Sequence, residues 1–337
     1  MNICVCGGGN LGHVVAGFVA ARKGFDVTVL TRRPECWHRQ LLIERPGGDW
    51  PLLSSLKLVT SVAKEAVSKA DAVVLCLPGY SIGPVLRQIR DDLPQEAFVG
   101  SVVSSTGFFQ QAMHLLSPTQ PLFGLQRVPF IARTLEYGHV ARLMGYKESL
   151  SVAVEQTRRR EELRQLMEQL FATPTKLMNN WYEVALSNSN PLLHPSRLYD
   201  LWCDYREGET YDRRPLFYEE WTERAAAIYM DMDAELQQLL AALPVAKDCI
   251  PTVLDYYESH DAASLAAKLR SIEAFKGIEA PMKEVEGGFV PDFQSRYFTE
   301  DFPFGLGLLR QLAREKGIAT PTMDRVWQWG AEGATAV

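Results

Sequence analysis

Four stretches of the chain hold residue types that could act together on a substrate. Gly7-Gly8-Gly9-Asn10-Leu11-Gly12 has the GxGxxG spacing. In such a run Gly7 allows a tight turn after a strand, Gly9 lets backbone approach a pyrophosphate, and Gly12 lets a helix pack closely on a sheet. That helix begins near Asn10 and Leu11, and its free N–H groups and positive dipole end suit phosphate. The second stretch, Leu30-Thr31-Arg32-Arg33, stands where a carboxylate would take the ribose 2′-hydroxyl of NAD, and no acid follows until Glu35. A hydroxyl and two guanidiniums suit a 2′-phosphate, which favours NADP(H) over NAD(H). Plain surface arginines, or arginines stacked on adenine, are the other readings. Third is His194, in Ser187-Asn188-Ser189-Asn190-Pro191-Leu192-Leu193-His194-Pro195. An imidazole titrating near neutrality can give a proton to a carbonyl or imine as hydride arrives, and it can equally be a packing residue. Fourth is Arg296-Tyr297-Phe298-Thr299-Glu300-Asp301-Phe302-Pro303-Phe304-Gly305. There an arginine could hold a carboxylate while Asp301 orients an imidazole, or the two could form a structural ion pair beside a helix cap.

These residues need a scaffold, and the periodicity supplies one. Asn2 to Cys6 reads as a strand, Gly12 to Lys23 as a helix stopped by Gly24, and Phe25 to Leu30 as a second strand, which completes a βαβ unit. Strand and helix patterns then alternate: Leu56–Thr60, Ser61–Ala70, Asp71–Leu77, Ser81–Asp91, Ala97–Val103 and Leu122–Val128. Gly138–Gly145 with Ser149–Val154 reads as a hairpin extending the sheet, and Glu155–Phe171 as a helix before a short strand at Thr175–Met178. Pro78-Gly79-Tyr80 and Ser104-Ser105-Thr106-Gly107 follow strands, at the end where this fold binds ligands, and they either flank a nicotinamide or are ordinary turns. Beyond a boundary near Trp181–Asn190 the pattern is helical, with one apolar stripe from Leu216 to Leu243, an N-cap at Asp261 and a C-cap at Gly317. The expected fold class is α/β: a Rossmann, doubly wound, mostly parallel sheet over residues 1–186, then a mostly α-helical domain over 187–337.

Taken together and in this order, the motifs resemble those of the octopine/nopaline (opine) dehydrogenases. The likeness runs through the glycine loop, Phe123-Gly124-Leu125-Gln126-Arg127-Val128-Pro129, Gly145-Tyr146-Lys147, Asn190 to Pro195, and Arg296 to Gly305. It implies NAD(P)H-dependent reduction of the imine formed between an amino acid and a 2-oxo acid. It also implies His194 as general acid/base, Asp301 as its orienting carboxylate, Arg296 as carboxylate anchor and Asn190 as a positioning amide. The cofactor residues are read from the loop, the strand end and the following turn themselves: Gly7, Gly9, Asn10, Leu11, Gly12, Thr31, Arg32, Arg33 and Pro78, with Arg32-Arg33 departing from the family where an NAD enzyme would want an acid. The chain is shorter than the better-known opine-forming enzymes, chiefly in the substrate domain.

Composition narrows the alternatives. The 337 residues are 47% hydrophobic and 23% charged, with a net charge of −6 and no extended basic tract, so neither nucleic acid nor an acidic membrane is an expected partner. The six cysteines form no CxxC pair or ligand cluster, which suits reduced thiols and no metal in the reaction. With no leader and no membrane-length apolar run, a cytoplasmic monomer or homodimer is expected. Competing functions are a ketopantoate-reductase-like or 2-hydroxyacid dehydrogenase, and a non-catalytic NADP(H)-binding sensor.

Overall fold

Ile3, Cys4, Val5 and Cys6 are all buried, as a parallel strand covered on both faces requires. In the computed structural model, which describes residues 1–335, this strand lies inside an eight-stranded sheet. The order across it is Thr175–Leu177, Leu150–Glu155, Leu122–Leu125, Phe98–Ser101, Ala72–Leu75, Asn2–Cys6, Asp26–Leu30 and Leu58–Thr60. The last six run parallel in the doubly wound order, reversing direction of growth at the first strand. Leu150–Glu155 joins antiparallel to Leu122–Leu125. The chain divides into two compact units, Met1–Ser187 and a second beginning at Asn188.

One expected element differs. Gly138–Gly145 and Ser149–Val154 do not form a hairpin on the main sheet. Instead Val140–Tyr146 pairs with Phe130–Glu136 across a turn at Gly138, and both belong to a separate four-stranded sheet with Gln40–Glu44 and Leu52–Ser55. The physical difference lies in the faces. Leu150–Glu155 is largely buried, whereas Phe130–Glu136 turns one face inward and leaves Ile131, Leu135 and Glu136 outside.

The first helix, Asn10–Ala20, packs against both sheets. It is buried from Gly12 to Val19, and an apolar helix of this kind must be covered all round. Gly17 permits the approach of the second sheet, since a Cβ there would lie 2.5 Å from the Ile43 side chain. Phe18, Leu41, Ile43, Phe130 and Leu143 join the core that results.

The second unit is mostly helical, with one small hairpin at Met282–Val285 and Gly288–Pro291. The apolar stripe expected from Leu216 becomes helical only at Glu223. Thr222 accepts from the Ala225 N–H and so starts the helix Glu223–Ala241, while Phe217 and Trp221 are buried ahead of it. Asp261 and Ser264 make a reciprocal capping box for Ala262–Ser271. Gly317 sits at φ +70°, where the Ile318 N–H returns to the Ala313 carbonyl and closes the helix Gly307–Glu315. No helix among the described residues is long and apolar enough to cross a membrane.

Candidate active site

The glycine loop has the shape a dinucleotide needs. Gly7, at φ +125°, places its Hα side against the Cys76 carbonyl, where a Cβ would lie 2.5 Å from the oxygen. A Cβ on Gly12 would collide with the Gly7 carbonyl oxygen, so the helix can start this close to the turn only as glycine. A Cβ on Gly9 would meet nothing within 4 Å, which leaves that face of the loop open to an approaching phosphate. The helix start has no side-chain cap and no acid in its first turn, so its N–H groups and dipole end are free for an anion. These residues fit a dinucleotide pyrophosphate. Pro78 lies at the carboxyl end of Ala72–Leu75 and precedes the helix Gly79–Ile89, and the Cys76 N–H bonds the Cys6 carbonyl beside the loop.

Two expected cofactor residues also hold structure. Leu11 packs on the core, and the Asn10 carboxamide oxygen accepts from the Thr134 N–H at 2.9 Å, fixing the second sheet to the helix start. Thr31 is buried at the end of Asp26–Leu30. Arg32 is exposed, with no hydrogen-bond or ion-pair partner among the described residues. Arg33 stacks over Tyr137, 4.3 Å from the ring centroid.

Tyr137 and His13 are contributions the linear reading missed. Tyr137 is the turn residue of the hairpin Phe130–Tyr146, and its hydroxyl comes so close to the loop that a Cβ on Gly8 would lie 2.6 Å from it and 2.9 Å from the Thr31 hydroxyl. Burial alone would raise its pKa, but Trp37, Thr31 and the Arg33 guanidinium outweigh that and lower it. His13, fully buried, bridges loop and hairpin: its Nδ1 lies 2.9 Å from the Gly9 carbonyl, and its Nε2 accepts from the Gly138 N–H at 2.7 Å. That pairing selects the Nδ1–H tautomer, and burial holds the ring neutral by lowering its pKa, with the Gly9 bond acting the other way. Stacking on Trp37 at 4.1 Å completes its cage. The sequence signal for all of this was only Tyr-Gly-His between two alternating runs, a turn without its usual Asn-Gly or Asp-Gly.

In the second unit the last two motifs meet. The helix Asn190–Trp202 carries His194, and the π-helical stretch Tyr297–Leu306 carries Asp301. Gly305 allows them to pack, because a Cβ there would sit 2.9 Å from Pro191. The His194 Nδ1–H donates to Asp301 Oδ2 at 2.7 Å, and the Tyr218 hydroxyl lies 2.9 Å from Nε2. Tyr297 stands edge-on to the imidazole at 4.6 Å, and Phe217 at 5.8 Å. Burial, with the nearby Tyr297, Tyr257 and Asp301, pushes the Tyr218 phenol far above its ordinary range, so it remains protonated and can donate to Nε2. Both ring nitrogens of the imidazole are thus bonded, and its orientation is fixed.

Tyr218 is placed by a buried ion pair on the helix that carries His194. Arg197, fully buried, donates through Nε to the Phe217 carbonyl at 2.9 Å and pairs with Asp200 at 2.9 Å. Asp200 also accepts from the Thr222 hydroxyl at 2.7 Å, which ties the segment 217–222 to the helix bearing His194. Sequence reading found neither residue, since nothing marks a phenol 24 positions away as a partner of His194. Asn190 lies one turn before His194 on the same helical face, half-buried. Arg296 is exposed and makes no ion pair with Asp301 or any other group among the described residues.

Residues 177–333 match the model of the NAD/NADP octopine/nopaline dehydrogenase alpha-helical domain, and residues 3–143 match that of ketopantoate reductase PanE/ApbA. Octopine dehydrogenase from Pecten maximus is 26% identical over 98% of this chain and 90% of its own. Tauropine dehydrogenase from Arabella iricolor is 25% identical over 97% of this chain and 90% of its own. A solved octopine dehydrogenase with NADH and L-arginine superposes with a TM-score of 0.89 at 25% identity, covering 99% of this chain and 89% of that one. A Rossmann unit, a helical unit that matches the octopine/nopaline type and similarity along nearly the whole chain agree, and together they support the NAD(P)-dependent octopine/nopaline (opine) dehydrogenase family for this chain.

Proposed function

We propose that this protein joins the amino group of an amino acid to a 2-oxo acid and reduces the resulting imine, with Met1–Ser187 serving as the cofactor unit and the helical unit as the catalytic one. The observation that carries this reading is the Asp301–His194–Tyr218 chain of hydrogen bonds, 2.7 and 2.9 Å long, in a unit that also offers a free guanidinium at Arg296. NADPH supplies the hydride when bound. Arg296 holds the carboxylate of the oxo acid, and Asn190 positions a polar group of the substrate from the same helical face as His194. His194 Nε2 takes a proton from the substrate ammonium, freeing the amine to attack the ketone. As the C–N bond forms, a proton of the attacking nitrogen passes to the former ketone oxygen; the imidazolium, stabilised by Asp301, then protonates that hydroxyl, which departs as water and leaves the protonated imine, ready to take hydride and become the secondary amine. Tyr218, held protonated, keeps Nε2 in place until substrate takes over its bond.

NADP(H) is the cofactor that Thr31, Arg32 and Arg33 suit best. Arg33 is engaged on Tyr137, so Arg32 is the guanidinium free to meet a 2′-phosphate. Arg32→Ala should weaken NADPH by roughly tenfold or more and NADH hardly at all. Equal losses for both cofactors, measured by fluorescence titration, would reject the preference.

The test of function is a screen of amino acids against pyruvate, 2-oxoglutarate and glyoxylate with NADPH and NADH, following cofactor oxidation and product mass. Turnover should require both substrates and yield their sum less one water plus two hydrogens. Oxidation by an oxo acid alone, unchanged by amine, would instead make this a reductase of the kind matched by residues 3–143. Cofactor binding without turnover for any pair would make it a sensor.

A further inference from the structure

We propose that His38, Glu136 and His139 form a binding site for a divalent transition-metal ion of the zinc type, on the outer end of the hairpin that carries Tyr137. One imidazole nitrogen from each histidine and a carboxylate oxygen of Glu136 all lie within 4.8 Å of one another. The two imidazoles stack with centroids 4.4 Å apart and planes 20° apart, and His139 Nδ1 is 3.2 Å from Glu136 Oε2. Around a tetrahedral zinc ion with bonds of about 2.0–2.1 Å, ligand atoms stand about 3.3 Å from each other. To share one ion the stacked rings must swing apart until both nitrogen lone pairs converge on it, a rearrangement of surface side chains over a backbone that is already fixed. The His38 N–H donates to the Gly138 carbonyl at 2.9 Å, the His139 N–H to the Glu136 carbonyl at 3.1 Å, and the Leu42 N–H to the His139 carbonyl at 2.9 Å. Gly138, at φ +75°, is pressed on Cys36 so closely that any Cβ would collide with the Cys36 carbonyl oxygen.

The donor set decides the class of ion. Two imidazoles and one carboxylate suit zinc, copper, nickel or cobalt, and offer too few oxygens for calcium or magnesium. Three protein ligands leave one position for water, as in exchangeable sites rather than closed structural ones. An ion pair between His139 and Glu136 alone would leave His38 without a role, although its ring lies stacked on His139 and its backbone is bonded to the hairpin turn. Bound metal would join the segment at His38 to both sides of that turn. The same turn presents Tyr137 over Gly8 and the Gly138 N–H to His13, so the ion would stiffen the arm that closes on the glycine loop.

The experiment uses the full-length chain stripped with chelator and titrated calorimetrically with ZnCl2 in a non-coordinating buffer. One equivalent should bind with a dissociation constant in the micromolar range. His38→Ala and His139→Ala should each weaken it roughly tenfold or more, Glu136→Gln somewhat less, and Cys36→Ser not at all. Circular dichroism and NADPH binding in the absence of metal confirm that each variant is folded. Absence of binding below millimolar zinc would overturn the proposal. So would binding that survives both histidine substitutions, or that disappears with Cys36.

Discussion

His194 is bonded on both ring nitrogens, and its two neighbours have different effects. Asp301 accepts at Nδ1 and orients the ring; Tyr218, its phenol held protonated, bonds Nε2. His194→Gln should lower kcat by roughly 10²–10⁴, and Asp301→Asn should fall in the same range, because the amide cannot stabilise the imidazolium. NADPH affinity should be unchanged in both, and titration of cofactor fluorescence checks this. Tyr218→Phe keeps the ring, which stacks on Phe275 at 4.0 Å, and removes only the hydroxyl, so a smaller loss in kcat is expected. A loss as large as that of His194→Gln would make the phenol itself the proton carrier. Arg296→Gln should act elsewhere, raising KM for the oxo acid with little change in kcat if the arginine binds ground and transition states alike. A fall in kcat at constant KM would show that Arg296 acts only in the transition state.

At the scale of elements, the first helix and the Phe130–Tyr146 hairpin are joined through one buried imidazole. Because burial lowers the pKa of His13, the folded chain keeps it neutral while the unfolded chain takes up a proton near pH 6.5. The stability it contributes is therefore intact above about pH 6.5 and declines as pH falls from there towards the depressed folded value. Protonation would also cost the bond from the Gly138 N–H. Urea unfolding at pH 7.5 and 5.5 should show a larger loss for the wild type than for His13→Gln, and equal losses would mean that the imidazole titrates normally. This junction also marks where the sequence stopped being legible. The βαβ unit, the glycine loop and the helical second unit could be read because each is local: strand, turn and helix follow one another within about thirty residues. His194 and Asp301 were legible as motifs in order. The second sheet was not, since Gln40–Glu44 must pair with Val140–Tyr146 across about a hundred residues and no period in the chain announces it. For the same reason Tyr137 and His13 looked ordinary. The π-helical turn that delivers Asp301 was hidden too, because Pro303 inside the motif reads as a helix breaker.

For the whole molecule, the division of labour has a measurable form. Arg32 belongs to the unit ending at Ser187, while His194 and Asp301 belong to the unit beginning at Asn188. Substitutions at distant sites that share no partners usually add in free energy to within about 0.5 kcal/mol, whereas residues in contact do not. If the first unit binds cofactor and the second moves protons, the kcat/KM of Arg32→Ala/His194→Gln with NADPH should be the product of the two single losses relative to wild type. His194→Gln/Asp301→Asn should behave otherwise. With the imidazole gone, the carboxylate 2.7 Å away has nothing left to orient, so the second substitution should cost little more than the first. The two double variants, assayed beside their singles under the same substrates, separate the models. Additivity in the second pair would mean that Asp301 and His194 act independently despite their bond. Strong coupling in the first would mean that cofactor grip and proton transfer are one event, not two.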